Sequence, residues 1–226
     1  MEEKWRSMNE KWRPIHTEVE TVNDQGEPLH LSGVKALQHV ETRQIVVSPD
    51  DIAQAEVMAI ARDHKLEEAR HVAPFLILFA RPSEGMIPEG DIQYKYHLQK
   101  SLFYLWKGLE EAGMYEVMPR DDFIGAKNGP LPVHLDQDLQ RFSEQGFIDI
   151  QLKDWHTEFA RPMKHIKLTA KGFNLAKNLW VDIPEDYSSM ALWAKKLVYP
   201  MHPLQLRELV HEKYPDFIDD TVNDIE

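Results

Sequence analysis

Phe147-Ile-Asp-Ile-Gln-Leu152 and Lys164-His-Ile-Lys-Leu168 are two segments in which apolar and polar residues alternate. Alternation with a period of two is typical of strands that bury one face, so the pair predicts a β-hairpin. A helix with an apolar stripe, His97–Gly113, and a shorter helix ending at Gly146 precede it, and Thr169-Ala-Lys-Gly-Phe173 begins another helix. Helix, helix, strand, wing, strand, helix is the order of a winged helix-turn-helix, which predicts a module that binds DNA or protein.

The two helices before the hairpin are predicted from apolar residues that recur at helical spacing. The first stripe consists of Leu98, Leu102, Leu105 and Leu109, and the second of Leu135, Leu139 and Phe142. Such stripes indicate helices that pack one face on a core. Gly113 and Gly146 follow the stripes, where glycine commonly ends a helix, and Thr169 is placed to cap the next one.

The apolar side chains of the first residues are spaced as one face of a helix, and they are Met1, Trp5, Met8 and Trp12. Pro14 would end this helix. It either docks on the protein's own body or forms an arm that inserts into a partner or a second subunit, because Trp and Met are common interface anchors. The candidate contact residues of such an arm are Trp5, Met8 and Trp12.

A small sheet and a helix are predicted to follow. β-Branched residues alternate over Ile15–Val22, and the turn signal Asn23-Asp-Gln-Gly26 precedes Leu29-His-Leu31, which predicts a hairpin. Gln44-Ile-Val-Val47 is a candidate third strand. Ser48-Pro49-Asp50-Asp51 is a helix start, with Ser as N-cap, Pro in the first position and acids in the first turn.

Two further helices and the C-terminal tail complete the pattern. Pro74-Phe-Leu-Ile-Leu-Phe-Ala80 is apolar on all sides, which predicts a fully buried helix. Ser188 or Ser189 is expected to cap a later helix, whose apolar residues would be Leu192, Trp193 and Leu197. From Asp216 on, the tail is acidic and is expected to fray.

Together these elements predict an α+β protein, mostly α, with a winged helix-turn-helix-like core and an N-terminal helix and β-hairpin extension. We divide the chain into residues 1–70, which hold that extension and its packing helix, and residues 71–226, the winged-helix-like domain with its C-terminal helices. A chain of 226 residues can bury a substantial core as one domain or two.

The composition excludes several classes of protein. The chain has no cysteine, which excludes a disulfide framework, a thiolate metal site and a cysteine nucleophile. Its longest apolar run, Val72–Ala80, is too short to span a bilayer, and the first residues lack the apolar core of a signal peptide. We therefore expect a cytoplasmic protein with no membrane segment.

The net charge of −12 gives the chain little attraction for nucleic-acid phosphates. Residues 147–180 are the exception, with six basic and three acidic residues. In a DNA complex the helix within 132–145 would read the groove and the hairpin 147–168 would form the wing. The exposed positions of that helix are predicted to be Asp136, Gln137, Asp138, Gln140, Arg141 and Glu144. This helix offers a single cation, so its charge does not favour DNA.

Candidate contact residues for DNA or for a protein partner lie on this helix, on the wing and at the start of the next helix. The glutamines could contact base edges, and the cations of the wing could contact phosphates. Trp155 and Phe159 in the wing either pack against the N-terminal segment or form a protein-binding edge. The full set is Gln137, Gln140, Arg141, Lys153, Trp155, Phe159, Arg161, Lys164, Lys167 and Lys171.

Catalytic and metal sites have weak support in the sequence. The chain has eleven histidines, of which His134 with Asp136, and His156 with His165, are pairs that could chelate a metal. We expect these histidines to be surface or capping residues, because they form no known ligand array. No catalytic residue, metal or cofactor is predicted.

The run Tyr96-His-Leu-Gln-Lys-Ser-Leu-Phe103 resembles a helix of the Panacea (SocA-like antitoxin) domains and of the YwgA-type phage-associated proteins. The matching positions further along the chain are Asn128-Gly-Pro130, Asp138-Leu-Gln-Arg-Phe142, Gln145-Gly-Phe147, Leu168-Thr-Ala-Lys-Gly172 and the closing segment Tyr199–Pro215. The likeness covers about residues 74–215. The resemblance implies a helix-rich, winged-helix-like adaptor or antitoxin that acts through protein contacts rather than catalysis.

We therefore expect a non-enzymatic regulatory or adaptor protein, antitoxin-like, in a homodimer or a complex with a protein partner. A DNA-binding transcriptional regulator of the winged-helix class is the alternative. A metal-dependent enzyme with a site of histidines and carboxylates is a third, less favoured class.

Overall fold

The computed structural model describes residues 12–22, 26, 28–81, 92–113, 118, 122–153 and 163–222, which form an α+β fold that is about 53% helical. Its α-helices are α1 (Pro49–Asp63), α2 (Val72–Phe79), α3 (Lys95–Glu111), α4 (Leu135–Glu144), α5 (Ala170–Asp182), α6 (Glu185–Val198) and α7 (Pro203–Lys213). Its strands are β1 (Trp12–Val22), β2 (Pro28–His39), β3 (Ile45–Val46), β4 (Ile92–Tyr94), β5 (Phe123–Ile124), β6 (Leu131–Pro132), β7 (Ile148–Lys153) and β8 (Met163–Leu168). The predicted class, α+β and mostly helical, is confirmed. In these ranges no helix is both long enough and apolar enough to cross a membrane.

The predicted N-terminal hairpin is confirmed. β1 pairs with β2 in antiparallel fashion, with Ile15 opposite Ala36, and β3 adds to the far side of β2. The register shifts between Val34 and Leu31 of β2, because this strand holds an extra residue there. Gly33 lies in this bulge with φ of +75°, a conformation that glycine adopts without a Cβ clash.

The prediction that Trp12 lies in a helix ended by Pro14 is wrong, because both residues belong to β1. Trp12 lies opposite His39 in the ladder, so pairing with β2 extends the alternating pattern back to this residue. Pro14 is tolerated because β1 is an edge strand of the described sheet, where a missing N–H can face away from the ladder. Residues 1–11, with Trp5 and Met8, lie outside the described residues.

α1 starts as the sequence predicts and joins the N-terminal sheet to the main core. Ser48 Oγ accepts a hydrogen bond from the backbone N–H of Asp51 at 3.1 Å, and Pro49 occupies the first position of the helix. One side of α1 shares a small apolar cluster with β2, formed by Leu31, Val34 and Ala55. The other side enters the main core through Val57, Ile60 and Ala61. The division of the chain at residue 70 stays a prediction.

α2 and α3 form the centre of the main core. α2 is buried from Val72 to Leu78, as its uniformly apolar sequence predicts. α3 buries its predicted stripe so completely that Leu98 and Leu105 have no exposed surface. Trp106 of α3 stacks on Phe123 of β5 with 5.2 Å between the ring centroids. The apolar stripes thus pack α2, α3 and α6 into one core.

The elements from residue 95 to residue 182 follow the predicted order of helix, helix, strand, strand, helix, except that the short strands β5 and β6 lie between the two helices. Gly146 follows α4 with φ of +73°, and Thr169 Oγ1 caps α5 by accepting a hydrogen bond from Gly172 N at 3.1 Å. Gly172 has to be glycine, because an added Cβ would lie 1.9 Å from the carbonyl oxygen of Phe147. β4, which the sequence pattern did not predict, pairs with β8 and completes a three-stranded sheet in the order β4-β8-β7.

The predicted start of α6 is wrong, and its predicted apolar face is only partly confirmed, because Leu197 packs against the core whereas Trp193 does not. Pro184 is its N-cap, and Ser188 lies inside the first turns, where its hydroxyl donates to the carbonyl oxygen of Glu185 at 3.0 Å. Ser189 is exposed. The buried apolar side chains are Tyr187, Ala191, Ala194 and Val198. Trp193, predicted to be on the apolar stripe, is 48% exposed, because small alanines rather than large residues let α6 pack closely on α2 and α3.

Residues 216–222 of the acidic tail pack on the protein, contrary to the prediction that the tail frays from Asp216. Phe217 is 8% exposed and its ring lies 5.1 Å from that of Phe103. Ala126 pairs with Ile218 in a short parallel bridge, and Lys127 N donates to the carbonyl oxygen of Val222 at 3.0 Å. One buried aromatic ring and these backbone bonds therefore hold the tail on the turn that follows β5.

Candidate interaction surface

The predicted reading residues lie on the outer side of α4, where Gln140 and Arg141 are already engaged by other side chains. Gln137 and Gln140 are exposed, and Gln140 Nε2 donates to Glu144 Oε1 at 2.9 Å one turn later. Arg141, the cation of this side, forms an ion pair with Glu67 in the segment after α1. The outer side of α4 therefore offers amides and carboxylates, and its guanidinium is already paired with a carboxylate.

The prediction that Asp138 is exposed on α4 is wrong, because it is only 6% exposed. Its carboxylate lies 3.1 Å from Nε2 of the buried His71 and 3.4 Å from Nε of Arg70. Burial would raise the pKa of Asp138, but the hydrogen bond from His71 and the neighbouring charges of His71 and Arg70 outweigh it, so the pKa is lowered. Asp138 is therefore a structural residue that fixes α4 to the start of α2.

Asp136 connects α4 to the sheet and neutralises a predicted contact residue. Its carboxylate lies 2.7 Å from Nζ of Lys95 and 3.5 Å from Nζ of Lys164 on β8. The side chain of Asp136 is 44% exposed and that of Lys95 is 8% exposed, so this ion pair lies at the boundary between the core and the solvent. Lys164, predicted to contact a partner or DNA, is thus held against α4.

The two other described cations of the predicted surface, Lys167 and Lys171, differ in their surroundings. Lys167 on β8 is exposed and lies opposite Asp149 in the ladder. Lys171 Nζ donates to the carbonyl oxygen of Gln145 at 2.7 Å and lies 4.3 Å from the centre of the Phe147 ring. Lys164 and Lys171 are therefore engaged by a carboxylate and by a backbone carbonyl, whereas Lys167 is exposed and faces Asp149 only in the strand register.

Several predicted residues of the wing fall outside what the structure describes. Lys153 is the last residue of β7, and the structure describes its backbone but not its side chain. Trp155, Phe159 and Arg161 belong to residues 154–162, which lie outside the described ranges. Whether the wing aromatics pack on the protein or form a binding edge therefore stays a prediction.

Two apolar side chains of β7 form an exposed feature that the sequence did not predict. Ile148, Ile150 and Leu152 share one face of the strand, but Ile148 is 1% exposed whereas Ile150 is 36% and Leu152 is 69% exposed. The alternating pattern predicts all three to be buried. Ile148 belongs to the main core, whereas Ile150 and Leu152 lie outside it, so the apolar face of the strand is covered only at its first residue. β7 is also an edge of its sheet, since in the described chain it pairs only with β8.

The histidines show no arrangement of ligands in the described ranges, where no group of three histidine or carboxylate side chains is placed to hold a metal ion. The sequence offers Asp136 and His134 as a pair that could chelate a metal, but the carboxylate of Asp136 forms ion pairs with Lys95 and Lys164. The ring of His165 packs edge-on against Tyr94 with 3.9 Å between centroids. Burial lowers the pKa of His97 on α3, which disfavours its charged form. His156 lies outside the described residues.

Comparison with known proteins assigns no family to this chain. No protein-family model matches it, and no curated protein matches it. The function is therefore argued from the surface formed by α4, β7 and β8.

Proposed function

We propose that this chain is a non-enzymatic regulatory or adaptor protein, antitoxin-like, in which residues 95–182 form a winged-helix-like module that binds a protein partner. Three features support the module: the order of α3, α4, β7, β8 and α5, the pairing of the hairpin, and the packing of α4 against β7. The partner binds at the free edge and the apolar face of β7, which we call the β7 edge and define by Ile150 and Leu152.

The exposure of Leu152 is the observation that carries this proposal. An unpaired strand edge can accept an extended segment of another chain, and exposed apolar side chains on the strand provide its contact area. Ile150 and Leu152 lie two residues apart on one face, so they fit a segment with apolar side chains at alternate positions. The partner is therefore a protein with an extended apolar segment.

Electrostatics support a protein over a nucleic acid at this surface. Binding to DNA depends on cations that can replace the counterions of phosphates. On this module Arg141 lies against Glu67, Lys164 against Asp136, and Lys167 opposite Asp149. These carboxylates would repel phosphates, and breaking the pairs would reduce the gain from each contact.

A DNA-binding regulator of the winged-helix class remains the second candidate, and exposed Lys167 and Gln137 are the features that favour it. Duplex DNA binding with sequence preference at physiological salt, weakened by Arg141→Ala or Lys164→Ala, would establish it in place of the protein-binding role. Metal retained by the purified chain without added ion would instead support the third class, an enzyme.

Site-specific photocrosslinking in the full chain tests the proposed function. A benzophenone side chain at position 152 should link to one protein in the native cell, and the same group at Val181 should not. Val181 is a matched control, since it is an apolar residue of α5 that is 56% exposed. The linked protein is then purified and must bind the chain directly, with Leu152→Asp abolishing the complex. Equal crosslinking at the two positions, or a linked protein that binds Leu152→Asp as tightly as wild type, would refute the role.

A further inference from the structure

β1 offers a second free strand edge, which belongs to a different sheet from the β7 edge. It is a strand of 11 residues, and in the described part of the chain it pairs only with β2. The extra residue of the sheet lies in β2 at Gly33, so β1 itself has no bulge. From Pro14 to Val22 exposed and half-buried residues of β1 alternate. A long, regular edge of this kind presents backbone groups that can pair with another strand.

The two faces of β1 differ in chemistry. Ile15, Thr17 and Val19 are half-buried on the face that looks towards α1. His16, Glu18 and Glu20 are exposed on the opposite face. Any strand that pairs with β1 therefore has to match an apolar face and a charged face at once.

A second copy of β1 provides this match when the two strands run antiparallel about Thr17. Ile15 then lies opposite Val19 on the apolar face, and His16 lies opposite Glu18 on the charged face, each pair occurring twice by symmetry. At the ends Trp12 lies opposite Val22, which is 62% exposed in the single chain. Apolar residues thus meet apolar residues, and a histidine meets a carboxylate.

The neighbouring registers are less favourable. A centre at Glu18 would place the two Glu18 carboxylates opposite each other, and like charges in facing positions are destabilising. A centre at His16 would place Trp12 opposite Glu20. Pro14 lies opposite Glu20 in the register centred on Thr17, where its missing N–H removes one backbone donor and leaves the central His16 and Glu18 pairs intact.

We propose that the chain forms a symmetric dimer in which β1 of one copy pairs antiparallel with β1 of a second copy, centred on Thr17. The three-stranded sheets of the two copies then join into one sheet of six strands. A two-fold interface of this kind uses the same residues from both copies, as expected for a homodimer. It uses a different surface from the β7 edge, so either proposal can fail without the other.

The mass of the full chain, measured by sedimentation over a range of concentrations, tests this dimer. His16→Glu places a carboxylate opposite Glu18 twice and should raise the dimer dissociation constant about tenfold. Adding Glu18→Arg to this variant should restore dimerisation, because the facing charges are then opposite. Gln44→Glu is the matched control, as it adds one carboxylate on an exposed residue next to β3, at the other edge of the sheet, whereas His30 would be unsuitable because it lies 3.8 Å from Glu18.

A dimer weakened by His16→Glu, restored in the double variant and unchanged in Gln44→Glu would support the proposal. A chain that stays monomeric at every concentration would overturn it. So would a dimer whose dissociation constant is the same in wild type and His16→Glu, because its interface would then lie elsewhere.

Discussion

Arg141 on α4 forms an ion pair with Glu67 of the segment between α1 and α2, 74 residues away in the chain. Its guanidinium is therefore neutralised on the helix that would enter a DNA groove in a winged-helix regulator. From the sequence alone Arg141 is expected to be an unpaired cation, but in the folded chain it forms an ion pair with Glu67. This contact is one of the reasons for placing the binding function on the β7 edge.

We predict that Arg141→Ala lowers the free energy of unfolding by less than about 1 kcal/mol. The two side chains are 40% and 61% exposed, so solvent screens the pair. Glu67→Ala should have a similar small effect in urea denaturation, and the double variant should lose little more than either single one. A loss of several kcal/mol would mean that Arg141 is part of the packed core.

Asp138→Ala should lower the free energy of unfolding by about 3 kcal/mol at neutral pH, because it leaves the buried His71 without its carboxylate partner, whereas Arg70 keeps its ion pair with Glu68. Asp136→Ala on the same helix is the comparison and should cost less than Asp138→Ala, because the side chain of Asp136 is 44% exposed whereas that of Asp138 is 9% exposed. Urea denaturation of both variants measures the contrast. Equal losses would show that burial does not distinguish the two aspartates.

The contribution of Asp138 should depend on pH. Its pKa is lowered in the folded protein, so its stabilising effect is complete above the pKa of the unfolded chain and is lost as pH falls through the lower folded value. The difference in unfolding free energy between wild type and Asp138→Ala should therefore narrow below about pH 4. A difference that grows as pH falls towards 2 would contradict the assigned direction of the shift.

Gly129→Ala should lower the free energy of unfolding by about 3 kcal/mol, since it combines a left-handed backbone with overpacking. Gly129 has φ of +94°, and an added Cβ would lie 2.6 Å from Cγ1 of Val210. Gly146→Ala is the control for backbone strain alone, with φ of +73° and open space around the Cβ, and should cost about 1 kcal/mol.

Introducing Val210→Ala tests the cause of that difference, because it removes the atom that clashes. In the Val210→Ala background, the cost of Gly129→Ala should fall to that of Gly146→Ala. If the cost stays at about 3 kcal/mol, the clash with Val210 is not its origin.

The local elements could be predicted from the sequence because their signals lie within a few residues. Ser48 with Pro49 gives the start of α1, and the alternation of Ile148 and Ile150 gives β7. Trp12 was misassigned because helical spacing from Met1 and strand alternation from Ile15 both fit it, and only the pairing with β2 selects one.

The environment of the surface residues could not be predicted, since it depends on residues far away in the chain. No local signal connects Asp138 to His71, so a carboxylate on an amphipathic helix was expected to be exposed. Likewise, alternation places Leu152 on the apolar face but does not tell how far the helical body extends beneath the strand. The length of the hairpin beyond the core decides that question.

The affinity of the photocrosslinked partner for Leu152→Asp tests the central claim most directly. We predict at least about a tenfold weaker complex by calorimetry, with the free energy of unfolding unchanged within about 0.5 kcal/mol, because Leu152 contacts solvent in the free chain. Val181→Asp, the matched control, should bind as wild type does. A partner that binds the Leu152→Asp and Val181→Asp variants with equal affinity would contradict the assignment of function to the β7 edge.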